Sequence, residues 1–269
     1  MYIDSHAHLF FKDYEQDFDE VISRAKDAGI EFIVNPGTDL ETSRRSIELA
    51  QQYDMIYACV GFHPHDASKA SPEALKEIEK LSLHPKVVAI GEIGLDYHYD
   101  YSPRDRQREV FTTQIEIAVR RNLPIIIHSR ESEPDTLEII KLMTDKYPGW
   151  KSAGNTLQRR GVFHCFPGDA AMARTVIGWN FYISIPGPVT FMHKTKPNTM
   201  AEVVSEIPLE HILLETDSPY LTPVPLRGKR NEPANIPLIA EKIASLKNTD
   251  VQTIGTITSK NVKSLFGIS

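Results

Sequence analysis

The sequence predicts an α/β protein folded as a (β/α)8 TIM barrel, with parallel strands and an active site at the C-terminal mouth. Two observations carry this. Eight short, β-branched and nearly continuously apolar runs recur along the chain, as strands buried on both faces require. Amphipathic helical stretches separate them, and such alternation makes a parallel sheet. A chain of 269 residues suits one closed barrel. The rival is an open doubly wound sheet, but no Gly-rich dinucleotide or phosphate-loop fingerprint marks its switch point. Residues 1–269 therefore read as a single barrel domain.

The strands are expected at Met1–His6, Glu31–Asn35, Met55–Gly61, Val87–Ile93, Pro124–His128, Gly161–Cys165, Phe181–Ile185 and Ile212–Glu215. In Asp17–Ala28, Phe18, Val21, Ile22, Ala25 and Ala28 share one helical face, and Gly29 stops the helix. Ser71-Pro72 offers a cap followed by proline at the first helical position. Ser102-Pro103 repeats that start before a long helix through Val119. Pro134–Lys146, Asp169–Gly178 and Pro197–Glu206 continue the alternation, and Ile236–Leu246 and Asp250–Leu265 close the chain. Tyr147–Arg160 is long for a helix-to-strand connection and reads as a surface excursion. Cys59 and Cys165 lie in strand-like runs and read as core thiols.

The N-terminus, MYIDSHAHLFF, has neither the basic nor the long apolar region of a secretory signal. No run approaches the roughly 18 apolar residues of a membrane span, so a cytoplasmic protein is expected. A net charge of −6 weighs against coating nucleic acid with a broad basic face. It leaves room for a nucleic-acid enzyme, because bound divalent cations would supply positive charge locally.

Polar residues stand where the apolar runs end, which is where barrel enzymes build their sites. The first run ends in Asp4-Ser5-His6-Ala7-His8, where a period of two puts His6 and His8 on the same side. Glu92 ends the fourth run, His128 the fifth and His164 the sixth, and Asp217 follows the eighth. Each alone has an ordinary structural explanation. Together, four imidazoles and two carboxylates in one mouth would cost several kcal/mol per unpaired charge unless metal ions compensate them. Imidazole with carboxylate suits zinc, manganese, iron or nickel, and carboxylates with water suit magnesium. Six donors are too many for one tetrahedral ion and about right for two. The natural partition gives His6, His8 and Asp217 to one ion, His128 and His164 to the other, and Glu92 to both.

The motifs DSHAHL, GFHPH, GEIGLDY, IHSR, HCF, ETDSPYL and RGKRNEP, running from Ile3 to about Pro233, resemble the TatD-related deoxyribonucleases of the amidohydrolase superfamily. The resemblance implies a deoxyribonuclease that cleaves phosphodiester bonds with water activated by two divalent ions (Mg, Mn or Zn). It also implies His6, His8, Glu92, His128, His164 and Asp217 as the metal ligands. Pro167 stands where the family usually has a small hydroxyl residue, and Tyr147–Arg160 is longer than typical, which bears on substrate shape.

Asp217 and Glu92 are the expected catalytic residues, with Asp217 orienting or deprotonating the attacking water. His63 and His65 could bind phosphate or protonate the leaving group, or be a hydrogen-bonded loop pair. Arg130 could hold a phosphate bidentately, or instead pair with Glu131 or Glu133. Tyr97 could stack on a base or be structural. Arg227, Lys229 and Arg230 form a basic loop that could contact DNA, or be a solvated charge run. Asp4 and Asp96 read as orienting partners of histidines, and His84, His98, His193 and His211 as surface or structural residues. The expected substrate is DNA, as single strands or ends, digested as an exonuclease. The alternatives are an amidohydrolase or esterase for a small or tRNA-linked carbonyl substrate, and a non-catalytic scaffold.

Overall fold

A computed structural model describes residues 1–153, 156–191 and 198–269, with 153, 156 and 157 described by their backbone alone. The strands are β1 (Tyr2–Asp4), β2 (Ile30–Pro36), β3 (Ile56–Val60), β4 (Val87–Asp96), β5 (Ile125–Arg130), β6 (Ser152–Ala153), β7 (Thr156–Leu157), β8 (Gly161–Phe163), β9 (Phe181–Ile185) and β10 (Ile212–Leu214). Strands β6 and β7 pair with each other, antiparallel, within the expected excursion. The other eight form one parallel sheet in the order β1-β2-β3-β4-β5-β8-β9-β10.

Closure happens just beyond the outermost strands. Ser5 N–H donates to the Leu214 carbonyl (3.0 Å), Asp217 N–H to that of His6 (2.9 Å) and His8 N–H to that of Ser218 (2.8 Å). Ala7 and Ser218 form a parallel bridge between them. The predicted (β/α)8 barrel is the observed fold.

The helices are α1 (Phe18–Asp27), α2 (Leu40–Gln52), α3 (Pro72–Leu81), α4 (Arg104–Arg121), α5 (Glu133–Lys146), α6 (Ala170–Gly178), α7 (Thr199–Glu206), α8 (Ile236–Lys247) and α9 (Val251–Phe266). Helix α2 is absent from the sequence expectations. Its start is a capping box in which Asp39 accepts from Thr42 N–H (2.8 Å) and Thr42 Oγ1 accepts from Asp39 N–H (2.9 Å). Ser71 caps α3 as expected, whereas Ser102 does not cap α4. Its hydroxyl donates instead to the His65 carbonyl (2.8 Å) and accepts from Ser68 N–H (3.0 Å), tying down the loop that carries the third histidine pair. The expected start of α7 at Pro197, like His193, lies outside the described residues; the helix runs from Thr199 with Asn198 as its cap.

One residue or more from each barrel strand (Ile3, Val34, Cys59, Ala89, Ile126, Val162, Tyr182 and Leu213) joins a single buried cluster with Val262, Leu265, Phe266 and Ile268. This cluster is the barrel interior. The opposite end carries the polar mouth, so α9 and the residues after it plug the N-terminal end. A fully buried side chain of this size contributes about 1.5–3 kcal/mol. The larger core cluster lies between strands and helices. No helix among the described residues is long and apolar enough to cross a membrane.

Candidate metal centre

Strand ends set the site. β1 stops at Asp4 and β8 at Phe163, so His6, His8 and His164 stand beyond the ladder with their rings at the mouth. Cys165, expected inside the strand, also falls past its end; it is only partly buried and adopts a left-handed φ of 42°. Cys59 is buried within β3.

Strand β4 carries the main irregularity. Ile90 pairs with Ile125 but Ile93 with Ile127, so β4 holds one residue more than β5 over this stretch. Glu92 sits in that bulge, a device that re-aims side chains beside active sites. Gly94, at φ 149°, follows at once; a Cβ there would lie 1.9 Å from the His128 carbonyl oxygen. Glycine thus lets β4 and β5 approach closely enough to bring Glu92 and His128 together.

The Glu92 carboxylate is 2% exposed and faces two groups of donors. Oε2 lies 3.4 Å from both His6 Nε2 and His8 Nε2, which are 3.1 Å from each other. Asp217 Oδ1 completes this group, 3.7 Å from His6 Nε2 and 3.6 Å from His8 Nε2. Oε1 lies 2.8 Å from His128 Nδ1, 3.0 Å from His164 Nε2 and 3.5 Å from His63 Nε2. Donors each about 2.1 Å from one tetrahedral ion stand roughly 3.4 Å apart. Both groups fit that spacing, and imidazole with carboxylate is a borderline-metal donor set.

Backbone and carboxylate partners fix the rings. His8 Nδ1 donates to the Pro36 carbonyl (3.3 Å), leaving Nε2 as the free lone pair. Asp96 Oδ2 lies 3.0 Å from His128 Nε2 and 3.0 Å from His65 Nε2, so Asp96 orients histidines as expected. Asp4 does not. Its carboxylate accepts from Thr216 Oγ1 (2.6 Å), Thr216 N–H (3.0 Å) and His6 N–H (3.2 Å), holding backbone rather than an imidazole.

Glu215, not singled out from the sequence, is fully buried behind His164, with Oε1 3.5 Å from Nδ1. With His6 and His164 it makes a third possible metal-ligating group. Its oxygens, however, already accept from Cys165 N–H (2.6 Å) and Ser184 Oγ (2.5 Å). That makes it a support for the ring rather than a donor. The readable signal was its position as the last residue of the expected eighth strand.

Burial raises the Glu92 carboxyl, but His164, His63 and His128 outweigh it and hold it well below the usual range. Burial likewise raises Asp217, and His8, His164 and His6 bring it below its ordinary value. Burial pushes the Asp4 carboxyl up to about 7 against its hydrogen bonds. Burial lowers His6 and His63. His128 and His164 are raised, because the facing carboxylates overcome burial. Ionised carboxylates among buried imidazoles are what a dication would neutralise.

The remaining expected residues divide. His63 belongs to the second donor group. His65 reaches Asp96 and packs edge-on against Tyr101. Arg130 is exposed, makes no ion pair among the described residues and lies over the Tyr99 ring at 4.9 Å; Glu131 pairs with His98 instead. The Tyr97 hydroxyl donates to Asp135 (2.6 Å) and Arg104 covers one face of its ring at 4.4 Å. Arg230 is also structural, bonded to both Asp17 oxygens at 2.7 Å and lying over Tyr14. Arg227 lies over Phe191 at 3.9 Å, and Lys229 is exposed. His84 bonds Gln51, and His211 bonds Arg159.

A parallel barrel with this imidazole–carboxylate cluster at its mouth defines a metal-dependent hydrolase. The chain belongs to the TatD-related DNase family, whose model matches residues 3–267. It is 48% identical over 269 residues to "uncharacterized metal-dependent hydrolase YabD" of Bacillus subtilis, covering 100% of both chains. It is 34% identical over 267 residues to "3'-5' ssDNA/RNA exonuclease TatD" of Escherichia coli, covering 98% of each. Among solved structures it is similar to YJJV, a TatD homologue from E. coli, with a TM-score of 0.89, 29% identity and coverage of 100% of this chain and 98% of that one.

Proposed function

We propose that this chain is a nuclease that shortens single-stranded nucleic acid from one end, using two divalent ions held on either side of Glu92. The observation that carries this reading is the Glu92 carboxylate, whose two oxygens face separate donor groups. Its likeness to an exonuclease of E. coli supports the substrate class. His6, His8 and Asp217 would hold one ion, His128 and His164 the other, with His63 beside the second. Such ions supply an activated water and neutralise charge on phosphate oxygens. Asp217 faces the first donor group through Oδ1 and, ionised, accepts a proton from the attacking water. Arg130, free of carboxylate partners among the described residues, binds a non-bridging phosphate oxygen.

The test is end-labelled single-stranded DNA and RNA incubated with metal-stripped protein reloaded with magnesium, manganese or zinc. Metal-dependent shortening as a ladder from one end is expected. Absence of cleavage with every metal, despite two bound ions, would move the assignment to carbonyl hydrolysis. One observation favours that second reading: Arg230, one of the three cations expected to meet a polyanion, is committed to Asp17.

Asp96→Asn bears on the second ion. It weakens the acceptor that holds His128, and metal affinity is expected to drop about 10–100-fold with the fold retained. Equilibrium dialysis checks this, and unchanged affinity would remove Asp96 from the centre.

A further inference from the structure

We propose that two aromatic groups at the mouth, Tyr99 with Tyr101 and Tyr220 backed by the half-buried Phe11, are stacking platforms that grip bases on either side of the scissile phosphate. This rests on the nuclease reading. Among the described residues the exposed large aromatics are Tyr99 (46% exposed), Tyr101 (67%) and Tyr220 (54%), and all three follow strand ends at this mouth. Solvent-exposed apolar surface gathered at one place marks a contact site.

Each platform attaches to one donor group. The Tyr99 and Tyr101 rings are stacked, with centroids 5.3 Å apart and planes within 2°. His65 meets Tyr101 edge-on at 4.8 Å and shares the Asp96 carboxylate with His128. Arg130 lies over Tyr99, so Tyr101, the more exposed ring, is the one of the pair open to a base. On the other side Phe11 lies 5.7 Å from His8 and 5.8 Å from Tyr220. Tyr220 N–H in turn donates to the Asp217 carbonyl (2.9 Å). The two oxygens of Glu92 face separate donor groups, so the platforms lie on opposite sides of that carboxylate.

The chemistry selects unpaired bases. Stacking on an aromatic ring accepts any base, needs its π-face free and adds affinity without cationic charge. In a chain of net charge −6 with Arg230 committed to Asp17, stacking would add to the hold that Arg130 has on phosphate. A base inside a duplex already spends both faces on its neighbours, so single strands and frayed ends are favoured.

The test uses short single-stranded DNA carrying 2-aminopurine at its terminal or its second nucleotide, bound to metal-loaded Asp217→Asn protein. Stacking quenches the fluorophore. Adding Tyr99→Ala with Tyr101→Ala is expected to relieve quenching at one position, and Tyr220→Ala at the other. In the otherwise native enzyme the same alanine changes are expected to raise KM for single-stranded DNA about tenfold, with Tyr→Phe changes restoring it. Wild-type protein that shortens DNA while the alanine variants keep parental quenching and KM would overturn the platforms alone. Wild-type protein that shortens no strand with any metal would overturn the nuclease reading and the platforms with it.

Discussion

Glu92→Gln is expected to reduce hydrolysis at least ~1,000-fold, the upper range for losing one group that stabilises developing charge. The bound metal should fall from two equivalents to one or fewer. Glutamine has the same shape but no charge, and one of its two terminal atoms is a donor. Whichever way the amide turns, an NH2 group faces either His6 and His8 or His128 and His164. Two dications held by these donor groups would then repel each other with no anion between them. Metal analysis of the purified variant alongside a cleavage assay measures both effects. Two retained ions with full turnover would exclude a bridging role.

The second large effect is kinetic. Asp217→Asn should lower kcat by about 100–10,000-fold, the range for a general base, while KM stays near its native value. Asparagine is well suited to this test. Asp217 adopts a left-handed φ of 54°, a region that asparagine enters readily, so the backbone is undisturbed. The neighbouring imidazoles keep the native carboxyl below its ordinary range, hence ionised at neutral pH and able to take a proton. An amide cannot. Full turnover in a variant that keeps its metal would remove the base role from Asp217.

That His6, His8, Glu92, His128, His164 and Asp217 meet at the mouth was legible because polar residues after apolar runs stand out at strand ends. The two-group partition was legible too, since chain order follows strand order around the barrel. Other features depend on what no local pattern carries. The bulge that aims Glu92 is a mismatch between β4 and β5, visible only when both strands are paired. Arg230 read as a free cation because Asp17, its partner, lies 213 residues away in sequence. Tyr97 stood out on paper as a stacking residue; only packing shows Arg104 over its ring and Asp135 on its hydroxyl. Helix α2 was missed because its first turns are rich in Ser, Thr and Arg, although the Asp39–Thr42 box announced it. His63 could be placed near the site but not against Glu92, since a loop conformation decides that distance.

The closure of the barrel ties catalysis to endurance. The hydrogen bonds that join the first strand to the last run through His6, His8 and Asp217 themselves. An ion gripped by those side chains is therefore a clasp on the seam, linking parts of the chain that are more than 200 residues apart in sequence. A ligand that binds only the closed form stabilises it by about 2.7 kcal/mol at a hundred times its dissociation constant. Metal supply would then govern how long the molecule survives heat or proteolysis as well as how fast it turns over. A cell short of the ion would lose the protein along with its activity.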